Sequence, residues 1–133
     1  MPKSKILVLD DSPEILEVLY TFLQSEYEVC TVQTAKMFIA RLTSFKPDII
    51  ILDVYRTDEN DGREICRKIK LNERTKHIPV ILMSTNSMEL ENFEECEADA
   101  IIEKPFDLFS FQNLIHTIIG EKQKNPLLNL QPG

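Results

Sequence analysis

Short, uninterrupted apolar runs recur along this chain, and segments with helical periodicity separate them. The two most pronounced runs, at residues 6–9 and 49–52, are each followed directly by aspartate. Continuous apolar runs of this length are typical of parallel strands that are buried on both faces. Further strands are predicted at residues 29–32, 78–84 and 100–102. The chain therefore predicts five strands, of which the run at 29–32 is the weakest.

The segments between the runs predict five helices, around residues 13–23, 35–42, 63–70, 88–97 and 107–118. Ser12 before Pro13 is a typical helix start, because serine caps the first turn and proline fits it. Thr34 and Asp107 are the cap candidates for two other helices. The segment at 88–97 is acidic and only modestly amphipathic, and Gly120 is predicted to end the last helix.

Strands that alternate with helices predict the α/β class, here a single doubly wound, five-stranded parallel sheet with helices on both faces. The length of 133 residues suits one domain. We expect this domain at residues 4–120. Residues 121–133 are expected to be a C-terminal tail or the start of a linker, and the sequence leaves open whether the chain is complete or part of a longer protein.

The composition excludes several classes of function. A net charge of −7 opposes nonspecific binding to nucleic acid or anionic lipid. No apolar run approaches the ~18 residues of a membrane span, and the N-terminus lacks the pattern of a signal peptide. Three widely spaced cysteines, Cys30, Cys66 and Cys96, suit packing in a reducing compartment better than a disulfide framework. We expect a cytoplasmic protein, monomeric or weakly dimeric.

Polar side chains collect at the predicted carboxyl ends of the strands, where ligands of doubly wound sheets bind. They are Asp10, Asp11, Asp53, Ser84 and Lys104. Carboxylates in one pocket repel each other, and a hard divalent cation such as Mg²⁺ relieves this. The hydroxyl and ammonium groups add donors for an anion with several oxygens, as phosphoryl transfer requires. Asp53 is then the best nucleophile, since a carboxylate can form an aspartyl phosphate.

These five side chains, each at its strand end and in this order, resemble the receiver domains of two-component response regulators, which are CheY-like. The resemblance spans roughly residues 4–120 and implies a flavodoxin-like strand order of 2-1-3-4-5. It also implies that Asp53 accepts a phosphoryl group from the phosphohistidine of a histidine kinase or phosphotransfer protein. The phosphorylated state would then act on a downstream protein target or output domain.

The resemblance further implies a role for each site residue. Asp11, Asp53 and the backbone carbonyl of Tyr55 would ligate Mg²⁺ (Mn²⁺ is possible), with Asp10 acting mainly through water. Ser84 and Lys104 would contact the phosphoryl oxygens. Asn86 and the Tyr55 side chain occupy positions that tune the lifetime of the phosphorylated state in this family.

The chain departs from the family pattern at several places. Arg56 and Thr57 stand where members often carry Met-Pro, and the stretch from 53 to 62 looks one residue longer than usual. Ile101 occupies the usual position of an aromatic switch residue, and Thr85 replaces a smaller residue. We therefore expect the phosphoacceptor chemistry to be retained and the switch to be atypical.

Other interpretations of the same residues stay open. Asp10 and Asp11 could simply cap the helix that begins near Pro13. An aspartyl phosphohydrolase is disfavoured, because Tyr55 and Ser12 stand where the second aspartate of haloacid-dehalogenase-like phosphatases is required. A flavodoxin-like cofactor site is disfavoured as well, because residues 10–13 present negative charge where a phosphate-binding loop is needed.

Overall fold

A computed structural model describes residues 3–54, 62–84 and 96–124 of the chain. These residues form five strands and four helices. In chain order they are β1 (Lys5–Leu9), α1 (Pro13–Leu23), β2 (Glu28–Val32), α2 (Ala35–Phe45), β3 (Ile49–Asp53), α3 (Gly62–Leu71), β4 (Val80–Ser84), β5 (Ala100–Glu103) and α4 (Leu108–Lys124).

The five strands form one parallel sheet in the order β2-β1-β3-β4-β5. The predicted fold class and strand order are confirmed. The order reverses between β1 and β3, since β1 pairs with β2 on one side and with β3 on the other. The carboxyl ends of β1 and β3 therefore lie next to each other at the switch point, where doubly wound folds bind their ligands.

The predicted helix starts are confirmed by side-chain contacts with the backbone. Ser12 Oγ accepts a hydrogen bond from the Ile15 N–H at the start of α1, and Pro13 is the first helical residue. Thr34 Oγ1 accepts one from the Met37 N–H at the start of α2. Asp107 does the same for α4, with its Oδ1 accepting from the Phe109 N–H at 3.2 Å. Each cap satisfies a backbone donor that the helix itself leaves unpaired.

The prediction that Gly120 ends the last helix is wrong, because α4 continues to Lys124. A glycine terminates a helix when it adopts a left-handed conformation, and none of the described glycines has a positive φ. Gly120 is an interior helical residue with open space on its Cα, so it weakens the helix without ending it. Most of the helix predicted at 88–97 lies outside the described residues.

The sheet separates two hydrophobic cores, and the central strand β3 contributes to both. Ile50 and Leu52 pack on the side of α2 and α3, whereas Ile49 and Ile51 pack on the side of α1 and α4. All four side chains have no exposed surface. The continuous apolar run thus contributes side chains to both cores. The absence of alternating apolar and polar residues in the sequence indicates the same arrangement.

The cysteines are free thiols, and Cys66 and Cys96 are buried in the core beside α2 and α3. Burial is the main reason why the pKa of the Cys66 thiol is raised above its ordinary value. This agrees with the predicted packing role. Among the described residues, no helix combines the length and the apolar character that spanning a bilayer requires.

Candidate functional site

Three carboxylates meet at the switch point of the sheet. Asp10 and Asp11 follow β1, and Asp53 is the last residue of β3. One oxygen from each carboxyl group lies within 4.8 Å of the other two. Asp10 and Asp53 are 0% and 4% exposed, whereas Asp11 is exposed. The cluster thus has two buried members and one that faces solvent.

Lys104 reaches this cluster from the end of β5. Its backbone N–H donates to the Ser84 carbonyl at 2.8 Å, which continues the pairing of β4 with β5 by one residue. Its Nζ lies 2.6 Å from Asp10 Oδ2 and 3.2 Å from Asp53 Oδ1. The side chain is only 11% exposed. Lys104 therefore pairs with both buried carboxylates of the cluster.

Asp10 also has a local structural contact. Its Oδ1 accepts a hydrogen bond from the Ser12 N–H at 2.9 Å, while its Oδ2 is held by Lys104. The N-cap of α1 is nevertheless Ser12. The capping interpretation accordingly explains one oxygen of Asp10 and leaves the buried ion pair with Lys104 unexplained.

The surroundings of Asp53 disfavour its ionised form. Burial raises the pKa of Asp53 to about 6, and the neighbouring Asp10 charge adds to the effect. Lys104 opposes the rise but does not cancel it. Burial by itself lowers the pKa of Lys104, but its contacts with Asp10 and Asp53 outweigh this, so its pKa is raised overall. The positive charge of Lys104 is therefore not enough to stabilise the ionised form of Asp53 as well as water stabilises an exposed aspartate.

The donor set suits Mg²⁺. Three carboxylates supply hard oxygen ligands, and the exposed position of Asp11 leaves one side of the cluster open to water, which Mg²⁺ retains in protein sites. A divalent cation would also supply the positive charge that Asp53 lacks. Mn²⁺ accepts the same oxygen ligands. Tyr55, whose carbonyl is the fourth predicted ligand, lies outside the described residues.

Ser84 is fully buried at the end of β4, the strand next to β3. Its carbonyl holds the Lys104 backbone, so the predicted phosphoryl contacts, Ser84 and Lys104, are linked through the sheet. Ile101 lies on β5 and is 36% exposed. The other positions that depart from the family pattern, or that tune lifetime within it, lie outside the described residues. They are Arg56, Thr57, Thr85 and Asn86.

Gly62 lies against the backbone of Asp53 and is not among the site residues predicted from the sequence. It is the first residue of α3, and its N–H donates to the Val54 carbonyl at 3.3 Å. A Cβ at this position would overlap the Asp53 carbonyl oxygen. The only signal in the sequence is a glycine at the boundary between a polar stretch and a helix.

The chain matches the family model for the response regulator receiver domain over residues 6–117. It belongs to the response regulator receiver domain family. This receiver domain has the CheY-like fold, and its family operates in two-component signal transduction.

Relatives of this receiver domain occur within longer proteins. It is 32% identical over 124 residues to histidine kinase P4 of Formosa agariphila, covering 92% of this chain and 9% of that protein. It is 35% identical over 107 residues to response regulator PleD of Caulobacter vibrioides, covering 78% of this chain and 23% of that protein. The chain thus spans well under two thirds of the length of these relatives.

A solved structure gives the same fold. The signal receiver domain of a signal transduction histidine kinase from Syntrophus aciditrophicus superposes with a TM-score of 0.80 at 29% identity. The match covers 89% of this chain and 91% of that one. The similarity therefore extends over nearly the whole of a separately solved receiver domain.

Proposed function

We propose that this receiver domain is a phosphoacceptor in which Asp53 takes a phosphoryl group from a phosphohistidine of a histidine kinase or phosphotransfer protein. The observation that carries the proposal is the buried Lys104 ammonium, which contacts both Asp10 and Asp53. An ion pair alone would account for the two buried carboxylates, but the cluster also includes the solvent-exposed Asp11, which lies beside them. A site for transient binding of a polyanion needs both features.

In the proposed reaction an Asp53 carboxylate oxygen forms a bond to phosphorus. The bond between phosphorus and the donor imidazole nitrogen breaks, and its electron pair stays on that nitrogen, which is protonated as it leaves. The transferred group moves between two carriers without net hydrolysis. Catalysis here consists of holding the acceptor in position and neutralising charge on the phosphoryl oxygens.

The chain's own groups supply most of that positioning. Asp53 is held at the end of a strand that is buried on both faces, so its approach to the donor is defined by the sheet. Lys104 is poised to contact a phosphoryl oxygen, and Ser84, at the end of the adjacent strand, is the hydroxyl donor that the family resemblance implies. Asp10 keeps Lys104 in place through the 2.6 Å contact.

Asp10, Asp11 and Asp53 would hold Mg²⁺, and a bound Mg²⁺ supplies Lewis-acid stabilisation of the transferring phosphoryl group. Asp53 and Asp11 would be the direct ligands and Asp10 would act mainly through water. The backbone carbonyl of Tyr55 would complete the protein ligands. Mn²⁺ could take the same place.

We further propose that phosphorylation changes a protein-binding surface through an atypical switch. Isoleucine cannot exchange a phenol between buried and exposed positions, so Ile101 cannot act as an aromatic switch residue does. The downstream target would be a protein or an output domain, with the receiver domain at residues 4–120 and a tail or linker from 121 to 133. The acidic charge disfavours direct contact with nucleic acid or membrane.

The test is intact-mass measurement after incubation with acetyl phosphate and Mg²⁺. We expect one added phosphoryl group on the wild-type protein and none on Asp53→Asn. Asp107→Asn is the matched control, because it makes the same chemical change at an exposed helix cap, and we expect wild-type labelling. Labelling of Asp53→Asn at the wild-type rate would contradict the assignment of Asp53.

A second incubation, with a small phosphomonoester in place of acetyl phosphate, tests the alternative of a phosphohydrolase. Sustained release of phosphate from a small phosphomonoester, at many turnovers per protein molecule, would favour that alternative. A single stable or slowly decaying adduct supports the acceptor function. Absence of any labelling in the wild-type protein with excess Mg²⁺ would overturn the proposal.

A further inference from the structure

We propose that Gly62 is a positioning residue for Asp53, an inference that rests on the phosphoacceptor function proposed above. Its role would be to let the first turn of α3 lie directly against the backbone of the phosphoacceptor. Gly62 touches no reacting atom. It would act on the reaction through the placement of the strand end.

The close approach of α3 to the end of β3 leaves no room for a side chain. A Cβ on Gly62 would overlap the Asp53 carbonyl oxygen and would lie 3.0 Å from the Asp53 carbonyl carbon and 3.1 Å from Val54 Cα. Carbon atoms in ordinary contact lie about 3.5–4.0 Å apart. Because all three obstacles are backbone atoms, no side-chain rotation can relieve the overlap. Either α3 or the strand end must move by at least about half an ångström.

The need for glycine here is steric and does not come from backbone conformation. None of the described glycines has a positive φ, so an alanine at 62 could adopt the backbone angles present. Alanine also favours helix over glycine. Local propensity therefore predicts that Gly62→Ala should be tolerated, and any loss must come from the contact with Asp53 and Val54.

Both partners in this contact are anchored on their other sides. The Val54 N–H donates to the Met83 carbonyl at 2.7 Å, which ties the strand end to β4. On the other side, α3 is held in the core by Ile65 and Ile69. A forced displacement is consequently shared between the helix and the residue that carries the phosphoacceptor.

A displacement of this size is significant for the site. Asp53 Oδ1 lies 3.2 Å from Lys104 Nζ, so half an ångström of separation would carry this contact beyond hydrogen-bond range. Asp53 would also move relative to Asp10 and Asp11, with which it forms the cation-binding cluster. Misplacement by about 1 Å can reduce a rate by about a hundredfold. We therefore expect Gly62→Ala to slow phosphoryl transfer by about tenfold or more.

The test measures the rate of acetyl phosphate labelling of the full chain at saturating Mg²⁺ and saturating phosphodonor, so that weaker binding does not contribute. The control is Ile69→Val, which removes one methyl group from the core face of α3 without approaching Asp53. We expect Gly62→Ala to label at least tenfold more slowly than wild type and Ile69→Val to label at the wild-type rate. Circular dichroism and thermal melts confirm that both variants are folded.

The outcomes separate this inference from the proposed function. If the wild-type protein labels and Gly62→Ala labels within twofold of it, the positioning role is wrong and the phosphoacceptor function stands. Equal slowing in Ile69→Val would also overturn the inference, since any loss of helix stability would then suffice. If Gly62→Ala is unfolded in buffer, the rates are measured in sucrose, which favours the folded state. A variant still unfolded there would assign Gly62 a structural role in place of a positioning one.

Discussion

Replacing the buried Asp53 carboxylate by an amide should stabilise the metal-free protein at neutral pH. The pKa of Asp53 rises from 3.8 to about 6 on folding, first because of burial and second because of the Asp10 charge. The folded protein therefore binds a proton more tightly at this position than the unfolded chain does. Stability consequently falls as the pH rises between about 4 and 6, and the cost of the ionised group is complete above that range.

The magnitude follows from the same values. A difference of about two pKa units, at about 1.4 kcal/mol per unit, amounts to about 3 kcal/mol of lost stability at pH 7.5. Asp53→Asn keeps the size of the side chain and its capacity to accept from Lys104, and it removes this cost. For a domain of this size about 3 kcal/mol corresponds to a rise in Tm of about 10 °C.

The assay is urea denaturation of both proteins in EDTA at pH 7.5 and again at pH 4. We expect Asp53→Asn to be more stable by about 3 kcal/mol at pH 7.5, with most of that difference gone at pH 4. The control Asp107→Asn retains a helix cap, so its stability should equal that of wild type at both pH values. A lower stability of Asp53→Asn at pH 7.5, or an equal gain at both pH values, would refute the electrostatic account.

Three further outcomes are expected. Asp11→Ala should weaken Mg²⁺ binding about tenfold or more, as measured by titration calorimetry. Its metal-free stability should be unchanged or slightly higher, because the removed carboxylate is exposed and repels Asp53. A clear loss of metal-free stability would favour a capping role. Lys104→Met should destabilise the protein by about 3–5 kcal/mol in denaturant titrations, because it leaves two buried carboxylates without their cation. An unchanged stability would contradict the ion-pair geometry. Thr34→Ala should cost about 1 kcal/mol through loss of the α2 cap and should leave the labelling rate unchanged.

The sheet could be predicted from the sequence because two of its strands, β1 and β3, contain runs of four consecutive apolar residues. The runs that became β1 and β3 lack polar residues, and this pattern requires burial on both faces. The meeting of Asp10 with Asp53 then follows from the topology of doubly wound sheets, whereas the strand order came from the resemblance to receiver domains. The convergence of distant residues was therefore inferred from rules about strand ends, with no information about individual contacts.

Other features depend on three-dimensional packing and were out of reach. Adjacent aspartates look alike in sequence, yet Asp10 is buried, with contacts to Ser12 and Lys104, and Asp11 is exposed. Gly120 looked like a helix end because glycine is common there, but its backbone stays helical. The contact of Gly62 with the backbone of Asp53 is a property of how α3 approaches the sheet, which the pattern of residue types does not specify.

The two-sided burial of β3 limits how this domain can respond to a new charge. Because its side chains alternate between two filled cores, a sideways movement of the strand would open a void on one side and cause a clash on the other. Strand β5 has no fully buried residue and therefore fewer such restraints. Rearrangement is accordingly easier at the outer edge of the sheet, where Lys104 is attached, than at the central strand that carries Asp53.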